Sequence, residues 1–141
     1  MALVRDIVHA AYSKWVPVIG REPSPMKADY DQALRKHQFT LLSLGAEVVG
    51  LIETSLEQDH LWIENVCVLP AQQGKGVGKT LLHHAEQMAQ RAGRYETRLL
   101  TNAAFEANIA LYERLGYVIT EREPYMGGVT VYMCKRLTLA L

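Results

Sequence analysis

The sequence has little cysteine and no excess of either charge. Its 141 residues include only Cys67 and Cys134, which excludes the Cys-x-x-Cys spacing of zinc and redox motifs. Fifteen basic residues balance fifteen acidic ones, so the net charge gives no general attraction to nucleic acid or to an anionic membrane. We therefore expect a reduced, cytoplasmic protein with neither of these partners.

Long hydrophobic runs are also missing. The first residues are apolar, but Arg5, Asp6 and His9 interrupt them, which argues against a signal peptide. No segment reaches the length of a transmembrane helix. His83 and His84 are adjacent and point in different directions, and no other histidine has ligand spacing, so we expect no metal site. The apolar positions near the N-terminus have a helical spacing: Leu3, Val4, Ile7, Val8, Ala11 and Trp15.

Hydrophobic periodicity and turn residues predict the order of the helices and strands. Helices are expected at 1–15, 25–37, 76–92 and 106–115, and strands at 39–44, 48–56, 61–69, 98–101, 117–121 and 129–137. A strand, a crossover helix and a further strand imply one parallel pair in an otherwise antiparallel sheet. We therefore predict a single α/β (α+β) domain over residues 1–141, with about four helices around a mixed sheet.

A glycine-rich loop directly after a predicted strand is the strongest chemical signal in the chain. Gly74, Gly76 and Gly78 lead from this strand into the helix at 76–92. Backbone N–H groups that approach closely, together with the positive end of a helix dipole, bind phosphate. Two common phosphate loops do not fit, because the nucleotide P-loop needs glycine where Gln73 stands and the dinucleotide fingerprint needs it at 79 or 81. Only the Gly-Lys-Thr at 78–80 suggests a nucleoside triphosphatase.

Two separate motifs resemble the signatures of the GCN5-related N-acetyltransferase (GNAT) family. The first is Gln-x-x-Gly-x-Gly at 73–78, and the second is the helix with Leu111-Tyr112 that closes at Gly116-Tyr117. The resemblance implies a sheet that splays where its two parallel strands meet, with acyl-CoA in the gap. The family's usual first strand has no counterpart before the predicted first helix. The implied activity is direct transfer of acetyl from acetyl-CoA to a primary amine of a small molecule or peptide.

The resemblance also implies roles for particular residues. Tyr112 would protonate the departing thiolate, and Glu64 would accept the proton of the amine. Strand alternation places Glu64 on the same face as Val66 and Val68 unless a bulge intervenes, and Glu53 is a reserve base that we expect on a solvated strand face. The residues implied for cofactor binding, some of them through main chain alone, are Val66, Cys67, Val68, Gln73, Gly74, Lys75, Gly76, Val77, Gly78, Lys79, Thr80, Asn108 and Tyr112.

The acceptor and the assembly are less closely specified. We expect the amine to enter beside the first two helices, the loop at 15–23 and the final hairpin near Tyr125. A non-catalytic acyl-CoA sensor or partner-binding module is the alternative, and it would not need Tyr112 and Glu64. Exposed strand edges favour a homodimer.

Overall fold

The protein is described by a computed structural model covering residues 2–20 and 22–138. The described helices are α1 (Ala2–Tyr12), α2 (Val16–Ile19), α3 (Ser24–Lys27), α4 (Tyr30–Lys36), α5 (Val77–Arg91) and α6 (Glu106–Arg114). The described strands are β1 (Gln38–Leu44), β2 (Glu47–Leu56), β3 (Leu61–Val68), β4 (Glu96–Asn102), β5 (Val118–Tyr125) and β6 (Gly128–Arg136). Short 3-10 turns lie at Ser13–Trp15 and Pro70–Gln72.

The six described strands form one mixed sheet in the order β1-β2-β3-β4-β6-β5. All neighbours are antiparallel except β3 and β4, which confirms the predicted parallel pair. That pair holds over three residues only, from Leu61 opposite Thr97 to Ile63 opposite Leu99. Beyond Ile63 the two strands separate, so the predicted splay is present. In the described part of the chain, no strand precedes α1.

Two hydrophobic clusters cover the two faces of the sheet. On one face, Leu81, Leu82 and Ala85 of α5 pack against Ile52 and Ile63. On the other face, the apolar stripe of α1 packs against the sheet, and the buried members of this cluster are Val4, Ile7, Val8, Ala11, Tyr30, Leu51 and Cys67. The predicted apolar stripe is therefore confirmed for Val4, Ile7, Val8 and Ala11, whereas Leu3 is exposed and Trp15 lies in the 3-10 turn that follows α1.

The helix expected at 25–37 is two helices, α3 and α4. The break occurs at Ala28, whose backbone is extended with ψ 149°. Asp29 then caps α4, because its carboxylate accepts a hydrogen bond of 3.2 Å from the backbone N–H of Gln32. An aspartate cap stabilises a new helix start more than it stabilises a helix interior, which explains why the single-helix prediction was wrong.

Gly50 allows α5 to lie close to the sheet. A Cβ at this position would meet the Cys67 carbonyl oxygen at 2.8 Å and Val77 Cγ1 at 3.1 Å. The first contact involves paired backbone, which cannot move without disturbing β3. We expect Gly50→Ala to lower the free energy of unfolding by about 2 kcal/mol, measured by urea denaturation. Gly78→Ala is the control, because its nearest side-chain contact would be an ordinary 3.5 Å, and an equal loss there would contradict the explanation.

Candidate active site

A β-bulge at Glu64 changes which side chains of β3 face each side of the sheet. Glu53 pairs with Asn65, whereas the next residue of β2, Thr54, pairs with Ile63, so Glu64 has no partner on β2. Before the bulge, Ile63 faces the α5 cluster; after it, Cys67 faces the α1 cluster. Val66 therefore packs on the α5 side although simple alternation from Ile63 would place it on the other.

Two cavities lie beside the opening between β3 and β4. One has a volume of about 250 Å³ and reaches the glycine loop; we call it the loop cavity. The other, of about 440 Å³, lies beside α3, α4 and the β5–β6 hairpin; we call it the acceptor cavity. Four residues line both: Tyr12, Val66, Asn108 and Tyr112. We call this shared region the junction.

The glycine loop has a backbone shape suited to an anion. Gly74 and Gly76 have φ of +78° and +87°, which side-chain-bearing residues rarely adopt. The loop is tied to the strand by Gln73, whose Nε2 donates to the Val68 carbonyl at 3.1 Å and whose Oε1 accepts from Lys14 Nζ at 2.6 Å. Lys14 and Arg114 line the loop cavity and no acidic residue does. The residues that line the loop cavity therefore carry a net positive charge.

The sequence-predicted cofactor residues do not all reach this cavity. Val66, Val68, Gln73, Gly74, Gly78, Asn108 and Tyr112 line it, whereas Cys67, Lys75, Gly76, Val77, Lys79 and Thr80 do not. The side chains of Cys67 and Val77 lie in the two cores. The Thr80 hydroxyl donates to the Gly76 carbonyl within the first turn of α5. Residues 66–68 have no main-chain pairing with β4, so any contact from Cys67 would be through its backbone.

Tyr112 is buried on α6 at the junction. Its side chain is 8% exposed, and its ring lies 5.9 Å from that of Tyr117. Burial, with a smaller effect of nearby Cys67, raises the pKa of Tyr112, so the phenol keeps its proton at neutral pH. Within residues 2–20 and 22–138, its hydroxyl makes no hydrogen bond, which leaves it available as a donor.

The acceptor cavity is lined by three acidic side chains and one lysine, Asp29, Glu53, Glu64 and Lys36, together with several aromatic rings. The Glu64 carboxylate lines it and accepts a hydrogen bond of 2.5 Å from Trp62 Nε1. Phe105 and Tyr125 contribute further aromatic surface to its lining. The segments expected to surround the acceptor, near Ile19 and the final hairpin, contribute to the lining as well. Acidic and aromatic groups together suit an organic ammonium.

Glu53 is not on a solvated strand face as predicted; it is 2% exposed and lines the acceptor cavity. One carboxylate oxygen accepts a 2.7 Å hydrogen bond from Asn65 Nδ2, and the other lies 2.6 Å from His37 Nδ1. Asn65 is itself buried, and Tyr30 lies beside it, donating to the Pro25 carbonyl at 2.5 Å. The reason for the difference is that α1 and α4 cover this face of β2, so the carboxylate needs partners inside the protein.

Among residues 2–20 and 22–138, no group of three or more His, Cys, Asp and Glu side chains is arranged to hold a metal ion. Nor does any described helix combine the length and apolarity needed to cross a membrane.

The comparison with known families agrees with the geometry of the cleft. The model of the acetyltransferase (GNAT) family matches residues 4–117. The chain belongs to the GNAT family. The match includes the splayed strands, the glycine loop and α6, so each wall of the loop cavity lies inside the family region.

One curated protein and two solved structures extend the comparison. The uncharacterized N-acetyltransferase YjgM of Escherichia coli K12 is 34% identical over 85 residues, which are 57% of this chain and 51% of YjgM, so the chain spans about half the length of this curated relative. The ribosomal-protein-S18-alanine N-acetyltransferase from Escherichia coli matches with TM-score 0.79 and 20% identity, over 99% of this chain and 88% of that one. PaiA N-acetyltransferase from Thermoplasma acidophilum, in complex with coenzyme A, matches with TM-score 0.80 and 17% identity, over 96% and 91%. These two likenesses show the GNAT fold.

Sequence reasoning missed several side chains of this GNAT cleft. Tyr12 and Lys14 fell within the helix expected at 1–15 and were given no role in the site, and Phe105 was given none either. The sequence does contain an indication that Glu53 is buried. Glu53 is two residues after Leu51 in β2, so both side chains point to the face that α1 covers. Tyr12 and Lys14 had no such indication, since only the packing of α1 across the splayed strands brings them to the cleft.

Proposed function

We propose that this GNAT protein transfers the acetyl group of acetyl-CoA to a primary amine of a small molecule or peptide. The observation that carries the proposal is the junction, where a positively lined cavity beside the glycine loop meets a cavity lined by acidic and aromatic side chains. A cofactor thioester and an amine would meet there between the splayed strands, next to the buried phenol of Tyr112.

The residues of the loop cavity fit acetyl-CoA. Lys14 and Arg114 would face the pyrophosphate, together with backbone N–H groups near Gly74. The main chain at 66–68, free of pairing with β4, would hold the pantetheine arm. Asn108 would contact the cofactor at the junction. Four other predicted residues do not line the loop cavity and would contact the cofactor from the outer side of the loop: Lys75, Gly76, Lys79 and Thr80. Bound acetyl-CoA supplies an activated acetyl thioester.

The proposed roles at the junction follow from burial and charge. The amine nitrogen forms a bond to the acetyl carbon as the carbon–sulfur bond breaks. Glu64, exposed at the acceptor cavity, takes the amine proton directly or through water. Tyr112 gives its proton to the departing sulfur. The indole hydrogen bond from Trp62 holds the Glu64 carboxylate in place for this transfer.

The direct test is CoA release measured with a panel of primary amines. We expect thiol to appear only when both acetyl-CoA and an amine are present. Tight acetyl-CoA binding without turnover on any amine would favour a non-catalytic acyl-CoA sensor. Magnesium-dependent ATP binding stronger than acetyl-CoA binding, measured by calorimetry, would refute the cofactor assignment.

The glycine loop gives a binding prediction with a matched control. Gly74 and Gly45 have φ of +78° and +62°, and a Cβ at either would meet no atom within 4 Å. Alanine should therefore cost about 1 kcal/mol of stability at both positions through backbone strain alone. Only Gly74→Ala should also weaken acetyl-CoA binding, by about tenfold, because only Gly74 lines the loop cavity. Calorimetric titration of both variants checks this, and equal affinities would contradict it.

We also propose that residues 1–141 act as one domain, in the cytoplasm, as a homodimer. The free Cys67 and Cys134 suit a reducing compartment.

Exposed apolar side chains lie on both edge strands: Leu41 and Leu44 on β1, and Val118 on β5. Light scattering would give twice the chain mass, and a monomer mass at working concentration would refute the dimer.

A further inference from the structure

Tyr12, the last residue of α1, occupies an unexpected position at the junction. It is one of the four residues that line both cavities, and the others are Val66, Asn108 and Tyr112. Its ring lies 6.3 Å from Phe105, which stacks on Trp15 at 4.5 Å. This aromatic group holds the Tyr12 ring where α1 meets the start of α6.

The direction of the Tyr12 hydroxyl is determined by the buried network behind it. A carboxylate can only accept hydrogen bonds, so the Asn65 group at 2.7 Å from Glu53 must be its amide nitrogen. The Asn65 oxygen then faces Tyr12, whose hydroxyl donates to it across 3.5 Å. His37, at 2.6 Å from the other Glu53 oxygen, keeps the carboxylate in this orientation. The Tyr12 proton is therefore directed toward Asn65.

A phenol that donates its proton on one side presents oxygen lone pairs on the other. The distance of 3.5 Å is at the long end of the hydrogen-bond range, so the hydroxyl can shift slightly toward a bound amine while its proton stays directed toward Asn65. Resting on the function proposed above, we infer that the Tyr12 oxygen accepts a hydrogen bond from the acceptor amine and thereby positions its nitrogen for attack.

Tyr12 acts in this arrangement as a hydrogen-bond acceptor and does not take the proton. Burial, with smaller effects of Cys67, Tyr112 and other nearby groups, raises the pKa of Tyr12 well above that of an ordinary tyrosine. Because the Tyr12 hydroxyl donates to Asn65, its neutral oxygen can align the lone pair of the amine. A neutral oxygen also binds the protonated ammonium form of the acceptor less tightly than a carboxylate would. Proton removal remains with Glu64.

The test compares Tyr12→Phe with the wild-type protein, both saturated with CoA. The probes are 2-phenylethylamine, n-hexylamine and alanine amide, and binding is measured by calorimetry. We expect amine affinity to fall about fivefold and kcat/KM for amines to fall about 30-fold, because one hydrogen bond is lost. Acetyl-CoA affinity should stay unchanged, and the thermal midpoint should fall only slightly, because the lost hydrogen bond to Asn65 is long at 3.5 Å. Tyr95→Phe, at an exposed tyrosine outside both cavities, is the matched control.

Each result separates this inference from the proposed function. Equal amine affinity and equal kcat/KM in Tyr12→Phe would overturn the role of Tyr12, as would a parallel loss of acetyl-CoA affinity. If the wild type binds none of the three amines, the inference is also overturned. If it binds amines but never acetylates them, the proposed function fails, whereas weaker amine binding by Tyr12→Phe would still support the contact.

Discussion

Replacing Tyr112 with phenylalanine is expected to lower kcat for acetyl transfer about 100-fold. The change removes the proposed proton donor and keeps the buried ring that packs beside Tyr117. General acids contribute about 10²–10⁴-fold, and we expect the lower end because a thiolate is a good leaving group. The loss corresponds to about 3 kcal/mol of barrier. Steady-state CoA release at saturating acetyl-CoA measures it.

The pH profile provides a second check on Tyr112. Because its pKa is raised, the protonated donor persists to higher pH than an ordinary tyrosine. Wild-type kcat should therefore not fall between about pH 7 and 9.5 through loss of this proton. Tyr95→Phe should match the wild type. If Tyr112→Phe lost acetyl-CoA affinity in proportion to its activity, Tyr112 would be a binding residue only.

Replacing His37 with phenylalanine is expected to lower the free energy of unfolding by about 2–3 kcal/mol. Phenylalanine fills similar space but leaves the Glu53 carboxylate, 2% exposed, with Asn65 as its remaining partner. A fully buried pair costs about 3–5 kcal/mol when one partner is removed, and His37 is 26% exposed, so water compensates in part. Urea denaturation measures the loss, and the thermal midpoint should fall by about 6–10 °C.

Two controls separate the buried charge from the added ring. The double variant His37→Phe/Glu53→Gln should regain at least half of the lost stability, because a buried neutral amide with one remaining partner costs less than a buried carboxylate with one. His60→Phe removes a similar contact, 2.7 Å from Nδ1 to Asp59, but that carboxylate is 71% exposed. Little change is expected there, because water solvates the carboxylate that remains. An equal loss in His60→Phe would show that the ring, and not the charge, is responsible.

Most of the sheet was predictable because its central strands have a clear pattern of apolar residues. β5 was predicted too short, at 117–121, because it is an edge strand with little burial on either face and continues through Arg122, Glu123 and Pro124. The single helix at 25–37 was wrong for a local reason, the Asp29 cap. Edge exposure and cap competition both weaken the periodic signal on which such predictions depend.

The residues of the candidate site also differ in how well the sequence predicts them. Residues close together in sequence, such as the glycine loop, form a recognisable motif because one turn places them. Tyr12, His37, Glu53 and Asn65 come from four separate parts of the chain, and their meeting depends on the β2–β3 register and on the packing of α1. The alternation of apolar residues along a strand does not show which residues pair across strands when a bulge shifts the register. The sequence therefore contains no indication of this hydrogen-bond network.

The bulge makes Glu64 unusually independent of the sheet that carries it. Every other residue of β3 has a cross-strand partner on β2, whereas Glu64 has none. Its side chain therefore enters no cross-strand pair, and exchanging it disturbs no neighbouring contact of that kind. The proposed base can thus be exchanged for glutamine while the strand pairing stays intact, so a loss of acetyl transfer in Glu64→Gln would come from the chemistry and not from a rearranged sheet.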